Sequence, residues 1–166
     1  MVFLMETKLY KNKVGFLRIK LNFDYMLGVD SVGQSGGLVL LWNDQINVVI
    51  HNYSRPYINA IVKLGRDGFP WKFLGFYGHP VAEKRHELWG LLRHLSDYEP
   101  MPWLCVGYFN EIVNLSEIKG ATCRNRRQME DFQKALEDCQ LCDLGFKGPK
   151  FTWNDGRDGD AFTEER

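Results

Sequence analysis

The segment that most clearly indicates the fold class covers residues 35–77 and reads SGGLVLLWNDQINVVIHNYSRPYINAIVKLGRDGFPWKFLGFY. Residues 38–42 form a continuous apolar run typical of a buried strand. Ile46, Val48 and Ile50 alternate with Asn47, Val49 and His51, as in a half-buried strand. Residues 58–64 and 71–77 predict two more strands, joined by a hairpin-type turn at residues 66–68. Successive parallel strands need a long crossover, usually a helix, and this segment has no room for one. We therefore expect an α/β domain with largely antiparallel sheets.

The flanking segments contain a change of period from strand to helix. Leu88, Leu91, Leu92 and Leu95 recur at helical spacing, with Trp89 beside them, which predicts an amphipathic helix. Residues 14–32 are mixed and predict little beyond one short strand. The elements predicted outside the central segment are strands over residues 1–5, 25–29 and 103–107, and helices over residues 82–97 and 127–140.

Length and charge narrow the class of protein. The chain has 166 residues, which predicts one domain. Lys plus Arg and Asp plus Glu both number 21, so the formal net charge is zero. A neutral chain argues against a strongly basic nucleic-acid coat and a polybasic membrane anchor. The apolar run at the start is too short for a secretory signal or a membrane span, so we expect an intracellular protein without a membrane partner, and a nuclear one if it acts on DNA.

The cysteines and a late acidic cluster give no metal site. Only Cys139 and Cys142 have the CxxC spacing, and a zinc site needs two more ligands that the spacing does not supply. We interpret both as small buried groups near a helix end. Asp155, Asp158 and Asp160 are spaced like a cation loop, but the final glutamate of the EF-hand pattern is missing.

Polar side chains follow three of the predicted strands. Glu6, Tyr77 and Asn110 each come at or just after the end of an apolar run. A carboxylate is a suitable ligand for Mg²⁺, and tyrosine and asparagine donate hydrogen bonds to phosphate oxygens without adding charge. Each residue also has an ordinary interpretation: a solvated strand end for Glu6, a half-buried aromatic for Tyr77 and a turn former for Asn110.

Taken together and in this order, these motifs resemble a known family. Residues 3–8 (FLMETK), 75–80 (GFYGHP) and 102–112 (PWLCVGYFNEI) are similar to motifs of the endonuclease/exonuclease/phosphatase superfamily. The plant LINE-type (non-LTR) retrotransposon branch is the nearest in pattern. Shorter matches at residues 36–42, 126–129 and 148–153 extend the resemblance over essentially the whole chain.

The resemblance implies a fold, a reaction and three site residues. It implies a DNase I-like sandwich of two largely antiparallel sheets flanked by helices, and Mg²⁺-dependent hydrolysis of phosphodiester bonds in DNA. Glu6 matches the glutamate that ligates the metal. Tyr77 matches the tyrosine that positions the scissile phosphate, and Asn110 the asparagine that holds the phosphate and its transition-state charge.

Departures from the family pattern bear on activity. Tyr108 stands where the family has an aspartate that orients or deprotonates the attacking water, and a tyrosine is a poor base at neutral pH. The family also has a strand before the glutamate strand and an aspartate-histidine pair in later strands, and this sequence matches neither feature. We therefore expect residues 1–166 to be a single partial domain, truncated at both ends, and a weakly active or inactive fragment of a retrotransposon endonuclease.

Two alternatives from other classes remain open. One is a catalytically dead module that binds nucleic acid or protein, and the other is a pseudogene-like fragment without a selected function. Arg126 and Arg127 are the candidate nucleic-acid contacts, although a solvated helix start explains them as well. Because missing outer strands leave sheet edges open, we also expect self-association through those edges.

Overall fold

The computed structural model describes residues 1–33, 35–97, 101–120, 124–157, 159 and 162–166. Cys123 therefore lies outside the described residues, and so do Asp158 and Asp160 of the late acidic cluster. The chain divides into two compact units, Met1–Gly78 with Pro100–Phe109, and His79–Glu99 with Asn110–Arg166. Among the described residues, no helix has the length and apolar character needed to cross a membrane.

The first unit contains two sheets. The strands are β1 (Val2–Leu4), β2 (Tyr25–Val32), β3 (Ser35–Trp42), β4 (Ile46–Ser54), β5 (Tyr57–Leu64), β6 (Trp71–Tyr77) and β7 (Trp103–Tyr108). One sheet has the order β1-β3-β2 and the other β4-β5-β6-β7. Every pair in them is antiparallel except β6 with β7, which is parallel. The prediction of largely antiparallel sheets is confirmed.

The two sheets pack face to face because β3 alternates between two apolar environments. Its even-numbered side chains join a core with side chains of the second sheet; the buried members are Leu38, Leu40, Trp42, Ile58, Val62, Phe73 and Tyr77. The odd-numbered Val39 and Leu41 face the other way and pack with Val14. Full burial of each such aliphatic side chain contributes about 1.5–3 kcal/mol. This core forms the predicted sandwich and explains why residues 38–42 are apolar without interruption.

A helix that the sequence pattern did not predict covers the outer face of β3. Helix α1 (Lys11–Lys20) lies in the stretch interpreted as mixed. Its apolar residues lack a helical stripe because Val14 is buried while Phe16 and Ile19 remain exposed. The turn after β5 also differs from the prediction. Its positive φ lies at Gly65, not at the Asp67-Gly68 dipeptide.

The second unit contains the two predicted helices. Helix α2 (Arg85–Ser96), preceded by a 3-10 turn at Ala82–Lys84, and helix α3 (Arg126–Asp138) match their predicted positions. The rings of Trp89 and Phe132 stack between them with centroids 4.6 Å apart. A small sheet of β8 (Ile118–Gly120), β10 (Thr163–Glu165) and β9 (Trp153–Asn154), in that order, was not predicted.

Cys139 is a structural residue at the end of α3. It is buried, and burial raises the pKa of its thiol, which therefore stays protonated at neutral pH. Cys142 is exposed, so its interpretation as a buried group is wrong. The interpretation of Cys139 as a small buried group is confirmed.

Candidate functional site

Glu6 lies in a conformationally unusual segment that follows β1. Glu6 and Lys8 both have positive φ, 51° and 54°, which is uncommon for residues with a side chain. Pairing with β3 continues as far as Lys8, because the N–H groups of Thr7 and Lys8 donate to the carbonyls of Gly37 and Gly36. A Cβ at Gly37 would lie 2.7 Å from Thr7 Oγ1, so only glycine permits this close approach. The segment therefore holds Glu6 in a sparsely populated conformation, as is common at functional sites.

Tyr77 reaches the same place from the second sheet of the first unit. It ends β6, its backbone N–H donates to the Pro56 carbonyl at 2.7 Å, and its ring lies in the sandwich core. The hydroxyl donates to Glu6 Oε1 at 2.5 Å. Glu6 itself is exposed. The structure thus brings together two of the three predicted site residues, a buried donor and a carboxylate open to solvent.

Tyr108 lies beside Tyr77. The two residues are register partners at the ends of parallel strands β6 and β7, and the Gly78 N–H donates to the Tyr108 carbonyl at 2.7 Å. The residue that stands where the resembling family has an aspartate is therefore adjacent to the tyrosine that contacts Glu6. The departure from the pattern lies at the site itself.

Asn110, the third predicted site residue, belongs to the second unit. Its φ is +59°, a left-handed conformation that asparagine tolerates better than most residues. The turn interpretation of Asn110 is consistent with this backbone, and its role at a phosphate stays a prediction.

A buried ion pair fixes the segment that begins at Asn110. Arg85 contacts Glu111 Oε2 at 2.8 Å, and the two side chains are only 8% and 1% exposed. Arg85 also donates to the carbonyls of His79 and Pro80, while Glu111 Oε1 accepts from the Ile112 N–H. The pair therefore joins the segment after β6 to the segment after β7. No sequence signal pairs these two residues, because they lie 26 positions apart.

The donor set at Glu6 fits a weakly held Mg²⁺ ion. Among the described residues, no three acidic, histidine or cysteine side chains converge as a metal site. Mg²⁺ is often held by one or two carboxylates together with substrate phosphates and water, so the exposed Glu6 carboxylate suits it in chemical type. Glu6 would hold such an ion by one carboxylate, and phosphate and water would have to supply its other ligands.

Arg126 and Arg127 begin α3 at the surface of the second unit. Arg126 contacts Glu130 one turn later at 2.9 Å, which neutralises part of its charge. Arg127 lines a groove of about 390 Å³, together with His86, Asn125 and other residues of α2 and α3. Arg124, two residues before Arg126, forms an ion pair with Glu165 and is part-buried. Arg124 thus has a structural partner, whereas nucleic-acid binding by the other two stays a prediction.

Comparison with solved structures identifies the fold. The endonuclease domain of TRAS1, a telomere-specific non-LTR retrotransposon, aligns with a TM-score of 0.63 and 11% identity, covering 100% of this chain and 82% of that one. D. rerio TDP2 complexed with a single-strand DNA product aligns with a TM-score of 0.50 and 10% identity, covering 99% of this chain and 70% of that one. The chain has a DNase I-like endonuclease fold. No family model matches the sequence, and no curated protein matches it significantly.

Proposed function

We propose that this protein is a degenerate Mg²⁺-dependent phosphodiesterase, derived from the DNA endonuclease of a plant LINE-type retrotransposon and weakly active or inactive. The observation that carries the proposal is the Tyr77–Glu6 hydrogen bond with Tyr108 adjacent to it. The pair supplies a metal ligand and a phosphate donor in contact. The neighbouring position lacks the base. A DNA substrate implies that the protein works in the nucleus.

In this proposal the site retains a metal ligand and a group that positions the phosphate, but it lacks a general base. Bound Mg²⁺ supplies Lewis-acid polarisation of the phosphate, with Glu6 as its protein ligand. Tyr77 orients the phosphate by donating its single O–H. That proton cannot be donated to Glu6 and to a phosphate together, so Tyr77 must exchange one acceptor for the other when substrate binds. Tyr108 does not replace the aspartate as a general base, because a phenol, with a reference pKa near 10, is a poor base toward water at neutral pH.

A nicking assay on supercoiled DNA tests the proposal. We expect the wild-type protein to nick slowly or not at all with Mg²⁺. Tyr108→Asp supplies a carboxylate and is expected to raise the rate about 100-fold, the lower end for general base catalysis. Tyr108→Asn is the matched control, because asparagine has the size of aspartate but no basic carboxylate. We expect it to stay at the wild-type rate.

Glu6→Gln in the Tyr108→Asp background tests the metal ligand. We expect nicking to fall to the level measured with EDTA, because the amide lacks the charge that attracts the cation. Fast wild-type nicking that survives Glu6→Gln would contradict the proposal. Equal melting temperatures for the four proteins would exclude misfolding as the cause of a loss.

The second candidate function is a module that binds nucleic acid without cleaving it. The exposed Arg126 and Arg127 favour it. In this case no variant nicks DNA, yet the protein binds DNA at low salt and Arg126→Ser with Arg127→Ser weakens the binding. Absence of binding at low salt would exclude this candidate.

A further inference from the structure

Positive charge is concentrated in one short segment of this neutral chain. Residues 7–23 read TKLYKNKVGFLRIKLNF and contain Lys8, Lys11, Lys13, Arg18 and Lys20 without a single acidic residue. The remaining 16 basic residues stand against all 21 acidic ones. The segment begins directly after Glu6 and includes the whole of α1. Its charge is therefore a local feature that the net charge conceals.

The outer face of α1 exposes large apolar side chains among these cations. Val14 packs with Val39 and Leu41 of β3, which accounts for the inner face. Phe16 and Ile19 lie on the outside and are each 70% exposed. Tyr10, the residue before the helix, is 56% exposed. A monomer that already has a covered helix face does not need these side chains for its core.

Two lysines flank the exposed phenylalanine at helical spacing. Lys13 precedes Phe16 by three positions and Lys20 follows it by four, which places the three side chains on one face of the helix. Lys13 and Lys20 are exposed, and within the described residues no carboxylate forms an ion pair with either. Arg18 differs, because its guanidinium donates to the carbonyls of Phe23 and Asp24 and so holds the end of the helix.

We infer that this face of α1, defined by Tyr10, Lys13, Phe16 and Lys20, binds single-stranded DNA. Unpaired bases have free faces that stack on exposed aromatic rings, and the phosphates between them pair with lysines. A duplex hides its base faces, so it uses the lysines alone. A lipid surface needs a continuous apolar face, and the apolar residues on the inner side of α1 are already packed against β3.

The inference extends the proposed function, since it adds a binding surface to the unit that contains Glu6 and Tyr77. The chain runs from Glu6 into this surface within four residues, through Thr7 and Lys8, whose backbone is paired with β3. A strand held on α1 would therefore lie on the same unit as the candidate site. Its binding requires neither Mg²⁺ nor cleavage.

Fluorescence anisotropy of a labelled single-stranded oligonucleotide in EDTA tests the inference on the full chain. The variant Phe16→Ala/Lys20→Ser removes one exposed ring and one cation. We expect its affinity to fall about tenfold. The slope of log affinity against log salt should become shallower by about 0.7 for the single lysine lost. The matched control, Phe69→Ala/Arg66→Ser, removes an exposed ring and a cation from the loop after β5, where Phe69 is 91% exposed, and should stay within about twofold of wild type.

Three results would overturn the inference. The first is that the wild-type protein does not bind the single strand at low salt. The second is that the test and control variants lose the same affinity. The third is that duplex DNA of the same sequence binds as tightly as the single strand. Vesicles of anionic lipid serve as a further arm. Vesicle binding lost in the α1 variant while DNA binding is unchanged would assign this face to a membrane instead.

Failure of the inference and failure of the proposed function give different results. The anisotropy measurement contains no divalent cation and leaves Glu6, Tyr77 and Tyr108 unchanged. Nicking by Tyr108→Asp with no effect of the α1 variant on DNA affinity would leave the proposed function standing and remove the binding surface. DNA binding at α1 without nicking by any variant would do the reverse.

Discussion

Two neighbouring parallel strands, β6 and β7, end in the same residue type with different consequences. β6 is buried along nearly its whole length and lies inside its sheet, whereas β7 is half-buried and is the last strand of that sheet among the described residues. Tyr77 at the end of β6 contacts Glu6, and Tyr108 at the end of β7 stands where the resembling family has an aspartate. The comparison teaches that the chemistry of a tyrosine here depends on the strand that presents it. In the function that we propose, the first strand end positions the phosphate and the second lacks the group that would accept a proton.

The largest expected effect concerns the segments that follow the two strands. Glu111→Ala leaves Arg85 buried without its carboxylate, which is expected to lower the free energy of unfolding by about 3–5 kcal/mol. Glu130→Ala is the matched control, because it also deprives an arginine, Arg126, of its glutamate, but at exposed positions. We expect less than about 0.5 kcal/mol for that variant. Chemical denaturation measures both.

A loss of stability in Glu111→Ala as small as that in Glu130→Ala would contradict this account of the buried pair. Arg85 would then gain enough from its bonds to the His79 and Pro80 carbonyls, or from water, to tolerate the change. The segments after β6 and β7 would in that case owe their positions to other contacts.

The next effect concerns how closely β6 and β7 approach. A Cβ at Gly107 would lie 1.7 Å from the Phe76 carbonyl oxygen, so Gly107→Ala must push the strands apart. We expect a loss of about 3 kcal/mol, the upper end for overpacking. Gly90→Ala is the matched control, because no atom lies within 4 Å of its added Cβ and alanine favours a helix interior. That variant is expected to gain about 0.5–1 kcal/mol. An unchanged melting temperature for Gly107→Ala would show that β6 and β7 can move apart without loss of stability.

The sequence predicted strands well where burial is two-sided. Residues 38–42 of β3 and 73–77 of β6 are continuous apolar runs because both faces of these strands are buried, and this pattern needs no knowledge of partners. Helix α1 was missed for the opposite reason: one face packs on β3 while Phe16 and Ile19 remain outside, so no amphipathic stripe exists. The exposure that concealed the helix is also the evidence for its proposed binding surface.

The candidate site was predictable only where local motifs carry it. Glu6 follows β1, whereas Tyr77 and Tyr108 end β6 and β7, and all three could be located from their neighbours in the sequence. The contact between Glu6 and Tyr77 spans 71 positions and depends on two sheets packing together, which no local pattern encodes. The Arg85–Glu111 pair was not predicted, because a charged residue on a helix normally faces solvent.

A smaller effect compares the two tyrosines directly. Tyr77→Phe removes the bond to Glu6, and we expect a loss of about 1 kcal/mol because the exposed carboxylate recovers water. In a Tyr108→Asp background, Tyr77→Phe should also lower the nicking rate about tenfold, since a donor to the phosphate is lost. Activity of the Tyr77→Phe variant equal to that of its Tyr108→Asp parent would remove Tyr77 from the proposed site.

The smallest effect concerns β7, which is the last strand of its sheet within the described residues. A strand at a sheet edge can pair with another chain, and Val106 in β7 is 37% exposed. If this edge mediates the self-association expected from the sequence, Val106→Lys adds a charge that opposes pairing of two such edges. We expect the variant to raise the monomer fraction severalfold in sedimentation at a fixed concentration, with little change in melting temperature. Leu115→Lys, at an exposed position outside the sheets, adds the same charge and should leave association unchanged. If both variants raise the monomer fraction equally, net charge and not the β7 edge controls association, because near-zero net charge alone also favours it.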